Sequence, residues 1–184
     1  MSFKGQKILP AIRSMKDFDK MLKTQYEYGV FLDMHIGMLK SVFDYARQNN
    51  RKMFLHADLI HGLSSDEYAA EFLAQYVKPY GIISTKGNVI MKAKQKGIFT
   101  VQRVFIIDSS ALERSIKLIS KTNPDYIELL PGVVPKTISE MYERTGKSIF
   151  AGGLIDHPEE VEQALNAGAS AITTSDKSLW KHYS

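Results

Sequence analysis

Eight short apolar segments alternate along this chain with amphipathic segments of helical periodicity, and this alternation is the strongest constraint on its fold. The apolar segments are rich in Ile, Val, Phe and Leu and do not alternate strictly with polar residues, as is typical of strands buried on both faces. We predict strands at residues 7–9, 30–34, 53–57, 81–84, 100–105, 126–129, 148–151 and 171–173. Strict alternation of strands and helices predicts a parallel sheet with right-handed crossovers, and eight units favour a closed barrel.

Start and stop signals delimit most of the intervening helices. Ser14 is placed as an N-cap, Pro135 and Pro158 stand in first turns, and Gly146 and Gly168 stand where two helices should stop. We predict helices at residues 14–24, 37–49, 65–77, 88–96, 109–121, 135–145 and 158–167.

The chain has 184 residues, which is short for an eight-unit barrel, since such barrels usually need about 250. We therefore expect an α/β protein with one compact TIM-like (βα)8 domain over residues 1–184, with minimal loops and a shortened last helix at 176–180. A stub of that length should leave apolar surface uncovered. We expect a second copy of the chain to cover it, giving a homodimer.

Composition excludes several classes of protein. There is no cysteine, so neither a disulfide framework nor a thiolate metal site can form, and a reducing compartment is favoured. The first residues lack an apolar signal core, and no stretch approaches the roughly 18 apolar residues of a membrane span. We expect a cytoplasmic protein without membrane contact. Its net charge of +4 permits anionic partners without requiring them.

The most specific local signal lies near the end of the chain. Gly152 and Gly153 follow the seventh predicted strand, and Thr174 and Ser175 end the eighth and lead into a short helix. In parallel barrels, phosphate commonly binds between these two loops, at the start of a short extra helix. Glycines let backbone N–H groups approach an anion, a helix start adds unpaired donors, and Lys177 adds charge. We predict a phosphate site at this corner.

Polar residues also collect at the ends of the other predicted strands. They are Arg13, Asp33, His35, His56, Asp58, Lys86, Arg103 and Glu128. Because alternate residues of a strand point the same way, we expect Asp33 to share a face with His35, and His56 to share one with Asp58. Charged groups are costly to bury without partners. Their collection at one rim predicts a site for a polar ligand.

The residues of the same rim could also serve catalysis or metal binding. Acid–base chemistry could use Asp33, Asp58 or Glu128, and a divalent metal could use Asp33, His35, His56, Asp58 and His61. The sequence contains no zinc-binding helix spacing, no P-loop and no dinucleotide fingerprint. We therefore expect no metal ion, no cofactor and no catalytic residue.

Five segments resemble one known family. They are residues 8–13 (ILPAIR), 54–59 (FLHADL), 81–86 (GIISTK), 126–132 (YIELLPG) and 151–155 (AGGLI). They are similar to the glycerol-3-phosphate-responsive antiterminators, the regulators of glycerol uptake operons in Gram-positive bacteria, and the resemblance runs from Ile8 to Ser178. It implies a barrel-like fold without a catalytic role. It also implies a protein that binds glycerol 3-phosphate and then binds and stabilises the leader mRNA of glycerol-utilisation genes, preventing premature termination.

Under this resemblance the polar residues divide into two groups. The phosphate would be held by Gly152, Gly153, Thr174 and Ser175. Rim groups such as Asp33, Lys86, Arg103 and Glu128 would take the two hydroxyls. RNA contacts are expected from either of two basic surfaces, Lys92, Lys94 and Lys96 or Lys177, Lys181 and His182, although no known RNA-binding motif is present.

The alternative is a barrel enzyme acting on a phosphorylated small molecule, such as a glycerophosphodiesterase or a phosphosugar isomerase, because barrel folds host many chemistries. A phosphodiesterase of this architecture should carry a His-Arg pair after the first strand and a Glu-x-Asp pair after the second. Residues 11–13 read Ala-Ile-Arg and residues 32–35 read Leu-Asp-Met-His. These departures weaken the enzyme interpretation.

Overall fold

The structure is a computed structural model that describes residues 3–184. Eight parallel strands close into a barrel in chain order, and helices alternate with them, so the predicted (βα)8 fold is confirmed. The strands are β1 (Ile8–Ile12), β2 (Tyr28–Phe31), β3 (Lys52–His56), β4 (Gly81–Ser84), β5 (Phe99–Phe105), β6 (Tyr126–Leu130), β7 (Ser148–Gly152) and β8 (Ala169–Thr174). The helices are α1 (Met15–Leu22), α2 (Leu39–Gln48), α3 (Glu67–Phe72), α4 (Gly87–Gln95), α5 (Ser109–Thr122), α6 (Pro135–Thr145), α7 (Pro158–Asn166) and α8 (Lys177–Tyr183).

The end of β2 differs from the prediction in a way that matters for the site. The strand stops at Phe31, and Asp33 has a left-handed backbone with φ +51°. Leu32 and Met34 are nevertheless buried. The apolar pattern therefore runs on into a buried loop and cannot mark where the strand stops. His35 lies in this loop, so the expected shared strand face of Asp33 and His35 was wrong.

Alternation along each strand separates two apolar clusters. One faces the helices, and the other fills the barrel interior with side chains such as Val30, Phe54, Val101 and Tyr126. Phe3, which precedes β1, enters this interior, and its ring centroid lies 5.3 Å from that of Phe150. The aromatic side chains fill the amino end of the barrel. Space for a ligand is consequently left at the carboxyl end.

The last helix, α8, is short as predicted, with seven residues, but the uncovered apolar surface expected beside it is not found within residues 3–184. It runs to Tyr183, and it buries Leu179 and Trp180. The Trp180 indole N–H donates to the Thr174 carbonyl at 2.8 Å, and the Tyr26 hydroxyl donates to the Trp180 carbonyl at 2.8 Å. The large apolar side chains exposed in residues 3–184 lie elsewhere. The reason given for a homodimer therefore does not hold, and the dimer stays a prediction.

None of the helices in residues 3–184 combines the length and the apolar composition needed to cross a bilayer.

Candidate functional site

A half-open cavity of about 480 Å³ lies at the carboxyl ends of the strands, a size that suits a small metabolite. It brings together residues predicted from opposite ends of the sequence. The predicted residues on its wall are Arg13, Arg103, Glu128, Gly153, Thr174 and Ser175. The loop after β7 and the loop after β8 therefore share one cavity, as the spacing of their motifs indicated.

Unpaired backbone donors line this cavity. The amide hydrogens of Leu154 and Ser175 have no acceptor within residues 3–184. Gly153 and Leu154 have left-handed backbones, with φ of +76° and +62°, which turn the chain sharply after β7. For a leucine this conformation is strained. The two loops thus present free N–H groups at the position expected for an anion.

The start of α8 does not contribute as expected. The Asp176 carboxylate accepts from the N–H groups of Ser178 and Leu179, so the first donors of this helix are already occupied. Hydrogen bonds from Ser178 and Leu179 hold the pKa of Asp176 below its usual value. Lys177 lies 3.3 Å from Asp17 and over the Trp180 ring. This arrangement does not support the roles expected for the helix start and for Lys177, and both stay predictions.

Gly152 has a packing role within the barrel. A Cβ atom at this position would clash with Thr173 Oγ1 and would lie 3.5 Å from Glu128 Oε1. Gly152 is buried and is not part of the cavity wall. The absence of a side chain here makes room for the hydrogen bond that Thr173 donates to Glu128 at 2.7 Å. Its predicted direct contact with phosphate is not supported.

Replacing Gly152 with alanine should destabilise the fold by about 1–3 kcal/mol, because the new methyl group overpacks the barrel interior. Urea unfolding compared with wild type measures this cost. An unchanged midpoint would show that Thr173 moves aside freely and that the space at Gly152 is not needed.

A polar network forms the floor of the cavity. Arg103 and Glu128 face each other across β5 and β6, and Arg103 Nε donates to Glu128 Oε2 at 2.7 Å. The Thr173 hydroxyl donates to the other carboxylate oxygen of Glu128. Within the described chain only Nε of Arg103 has an acceptor, so both terminal nitrogens of its guanidinium remain free beside the cavity. Glu128 therefore orients the Arg103 guanidinium so that both terminal nitrogens can donate to one ligand.

Two predicted ligand contacts serve the loops instead of the cavity. Asp58 accepts from the Ser65 and Ser84 hydroxyls at 2.6 Å and from the Thr85 N–H at 2.7 Å. Burial raises its pKa, but these hydrogen bonds outweigh burial and lower it. Lys86 Nζ donates to the Ser65 carbonyl at 2.8 Å. Asp58 and Lys86 do not line the cavity, and they hold the loop after β3 against β4.

Asp33 also lies outside the cavity wall. It forms an ion pair with Arg13, and Arg13 lines the cavity. His35 accepts from the Gly37 N–H at 3.1 Å and so caps a short 3-10 turn at Ile36–Met38. Within residues 3–184 no three His, Asp or Glu side chains are grouped so that they could hold a metal ion.

His56 ends β3, and its residue is 2% exposed. Both imidazole nitrogens lack a hydrogen-bond partner within residues 3–184. Burial, and next the charge of Arg103, lower the pKa of His56 to about 4, against the opposing effects of Glu128, Asp58 and Asp33. The side chain is therefore neutral at pH 7. Asp58 follows in a 3-10 turn, so the expected shared strand face of these two residues was wrong.

This lowered pKa makes stability depend on pH. The unfolded chain takes up a proton on His56 near pH 6.5, whereas the folded chain does so only near pH 4. The fold therefore keeps its full stability above pH 6.5 and loses stability as the pH falls from 6.5 towards 4, because the unfolded chain binds the proton more readily. Between pH 7 and pH 5, the free energy of unfolding of wild type should fall by about 2 kcal/mol more than that of His56→Leu. Parallel curves for the two proteins in urea titrations would contradict the assignment.

Three acidic or hydroxyl side chains on the cavity were not predicted. Thr173 was missed although it follows Ala171 on the inward face, and period-two alternation could have found it. Asp176 precedes α8 as an ordinary N-cap residue, a signal available in the sequence. Asp156 lies in the loop after β7, and no sequence pattern singles it out.

Fold and site together define a (βα)8 barrel with a polar small-molecule cavity at the carboxyl ends of its strands, a position shared by barrel proteins of many activities. Residues 8–180 match the sequence profile of one family, described as glycerol-3-phosphate responsive antiterminator. This match spans nearly the whole barrel. The chain belongs to the glycerol-3-phosphate responsive antiterminator family.

Individual relatives are similar to this chain over nearly its whole length. The crystal structure of the glycerol uptake operon antiterminator regulatory protein from Listeria monocytogenes is 45% identical, with a TM-score of 0.96 and 98% of each chain covered. A glycerol uptake operon antiterminator-related protein from Thermotoga maritima is 31% identical, with a TM-score of 0.86, covering 98% of this chain and 99% of the other. The uncharacterized protein YgcP of Escherichia coli K12 is 29% identical, covering 94% of this chain and 91% of YgcP. At 12% and 14% identity, two aldolases share the barrel fold alone.

Proposed function

We propose that this protein binds glycerol 3-phosphate in the carboxyl-end cavity, and that the loaded form binds the leader mRNA of glycerol-utilisation genes and prevents termination. The observation that carries the proposal is the set of unpaired N–H donors in the loops after β7 and β8, facing one cavity that also holds Arg103. Family membership supplies the class of ligand. A nascent transcript is met in the cytoplasm, so the proposal includes that location.

The phosphate would lie between the Gly153–Leu154 turn and Ser175. Amide hydrogens from two loops can converge on one anion without the desolvation cost of a buried lysine. The free guanidinium nitrogens of Arg103 add a charge-assisted pair of donors. Arg13 lines the same cavity and would exchange its partner Asp33 for the dianion.

The glycerol end of the ligand would lie over the cavity floor. Glu128 is buried, and each of its oxygens already accepts one hydrogen bond, yet a carboxylate oxygen can accept a second. A ligand hydroxyl can therefore donate to Glu128. Asp58 and Lys86 lie outside this arrangement, because the loop after β3 uses them internally.

RNA binding would draw on lysines that lack an acidic partner. In the basic surface formed by Lys92, Lys94 and Lys96, Lys94 lies 3.9 Å from Asp125 and Lys96 is paired with Glu71. Within the described chain only Lys92 of these three has no ion pair. Contacts from lysine to phosphate predict an affinity that falls steeply with salt. The ligand can promote RNA binding only if it binds the RNA-competent state more tightly than the other state.

Binding of leader RNA with and without glycerol 3-phosphate tests the proposal. We expect tight RNA binding only with ligand, and a binding constant that falls as salt rises. The enzyme alternative predicts turnover of a glycerophosphodiester or a phosphosugar instead. RNA binding that ignores the ligand, or turnover without any RNA binding, would overturn the regulator.

A further inference from the structure

His56 carries an unusual feature for a buried side chain. Buried polar atoms in proteins nearly always have hydrogen-bond partners, and each exception calls for a physical reason. The residue is 2% exposed, and neither Nδ1 nor Nε2 has a partner in residues 3–184. An unsatisfied buried imidazole lowers the stability of the unliganded fold.

Strand alternation places this side chain inside the barrel, close to the side chains that form the cavity floor, although His56 itself is not on the cavity wall. Phe54, two residues earlier on β3, packs inside the barrel, with its ring centroid 5.7 Å from that of Phe150. His56 therefore points into the same interior, one step nearer the carboxyl end. Arg103 and Glu128 stand one step beyond Val101 and Tyr126 in the same way, and both line the cavity. His56 belongs to this tier of polar interior side chains.

Within this tier His56 has a distinct hydrogen-bonding capacity. Glu128 holds Arg103 and Thr173, so these three side chains already pair with one another. A neutral imidazole carries one N–H donor and one bare nitrogen acceptor. A hydroxyl group matches either nitrogen, because it both donates and accepts. A methylene group at the same place would leave both nitrogens unsatisfied.

We propose that the imidazole of His56 hydrogen-bonds a hydroxyl of the bound ligand and sets the preference of the cavity for a polyol phosphate over a deoxy analogue. This inference rests on the proposed function. The buried imidazole has no partner in the free protein within residues 3–184, and it gains one when the bound ligand displaces the side chains that separate it from the cavity. His56 would then contribute to specificity rather than to the phosphate contact.

Calorimetry on the full chain with three phosphates tests this. The probes are glycerol 3-phosphate, 3-hydroxypropyl phosphate, which lacks the central hydroxyl, and propane-1,2-diol 1-phosphate, which lacks the terminal one. Wild type should bind at least one deoxy analogue about 100-fold or more weaker than glycerol 3-phosphate. His56→Leu should bind glycerol 3-phosphate about as weakly as wild type binds that analogue, and should bind the analogue within about threefold of wild type.

Two further variants serve as a control and as a conservative replacement. His61→Leu changes an exposed histidine in the next loop and should leave all three affinities unchanged. His56→Gln keeps one donor group and one acceptor and should lose less affinity for glycerol 3-phosphate than His56→Leu does. Thermal unfolding of the unliganded His56→Leu protein should occur at the same temperature as wild type or higher.

The outcomes separate the two proposals. Wild-type preference that survives in His56→Leu, or an equal loss for all three phosphates, would overturn the role of His56 and leave phosphate binding in place. A wild-type protein that binds none of the three phosphates would overturn the proposed function, and the role of His56 with it.

Discussion

Gly153→Asp should weaken binding of glycerol 3-phosphate at least about 100-fold, since placing like charges together at a binding site costs several kcal/mol. Gly153 lines the cavity in the turn after β7, where a new carboxylate would face the phosphate dianion. The left-handed backbone at this position, with φ +76°, is one that aspartate tolerates better than most residues. Calorimetric titration of the folded variant measures the loss.

The chain offers a closely matched control for this substitution. Gly97 has φ +77°, and no atom lies within 4 Å of the position that its Cβ would take. It follows α4, away from the cavity. Gly97→Asp therefore imposes the same backbone strain and the same added charge but should leave the affinity unchanged. It does not reproduce the contact with Leu130, which a Cβ at Gly153 would approach to 3.2 Å. Equal losses in the two variants would mean that the phosphate does not bind at the Gly153 corner.

Glu128→Ala should lower the free energy of unfolding by about 3–5 kcal/mol, because removing one partner of a buried ion pair leaves an uncompensated charge. The side chains of Glu128 and Arg103 are 2% and 15% exposed. Thr173 would lose its acceptor as well. The opening of Arg103 to the cavity lets water solvate part of its charge, so we expect the lower end of this range. Urea unfolding provides the measurement.

Glu140→Ala is the comparison for this experiment. Glu140 pairs with Arg144 at 3.4 Å on the exposed surface of α6, and such pairs contribute little to stability. Its replacement should leave the unfolding midpoint nearly unchanged. A Glu128→Ala protein as stable as Glu140→Ala would show that the Arg103–Glu128 pair is not a buried, energetically coupled unit.

Much of the site could be predicted because the barrel places all strand ends at one rim. Five cavity residues are far apart in the sequence, yet all lie near the carboxyl end of an apolar segment. Arg13, Gly153 and Ser175 follow such a segment, and Arg103 and Glu128 lie within one. Once strict alternation implies parallel strands, their carboxyl ends must meet. The cavity that these five residues line therefore follows from the pattern of elements, without knowledge of any individual contact.

The errors share one cause, which is that a local pattern does not report on neighbouring strands. Asp58 looked like a rim ligand, but three residues from other segments satisfy it. Gly152 looked like half of a phosphate turn, but the approach of Thr173 from β8 decides its role. Both facts depend on which side chains barrel closure brings together.

By itself the sequence determined the order of strands and helices, the closure of the barrel and the rim at which polar groups collect, because periodicity and start and stop signals are local properties of the chain. Only the tertiary structure decided that Phe3 fills the amino end, that α8 covers its own strands, and that His56 has no partner among the described residues 3–184. The stagger of strands around a closed barrel determines these contacts, and that stagger is a property of all eight strands together.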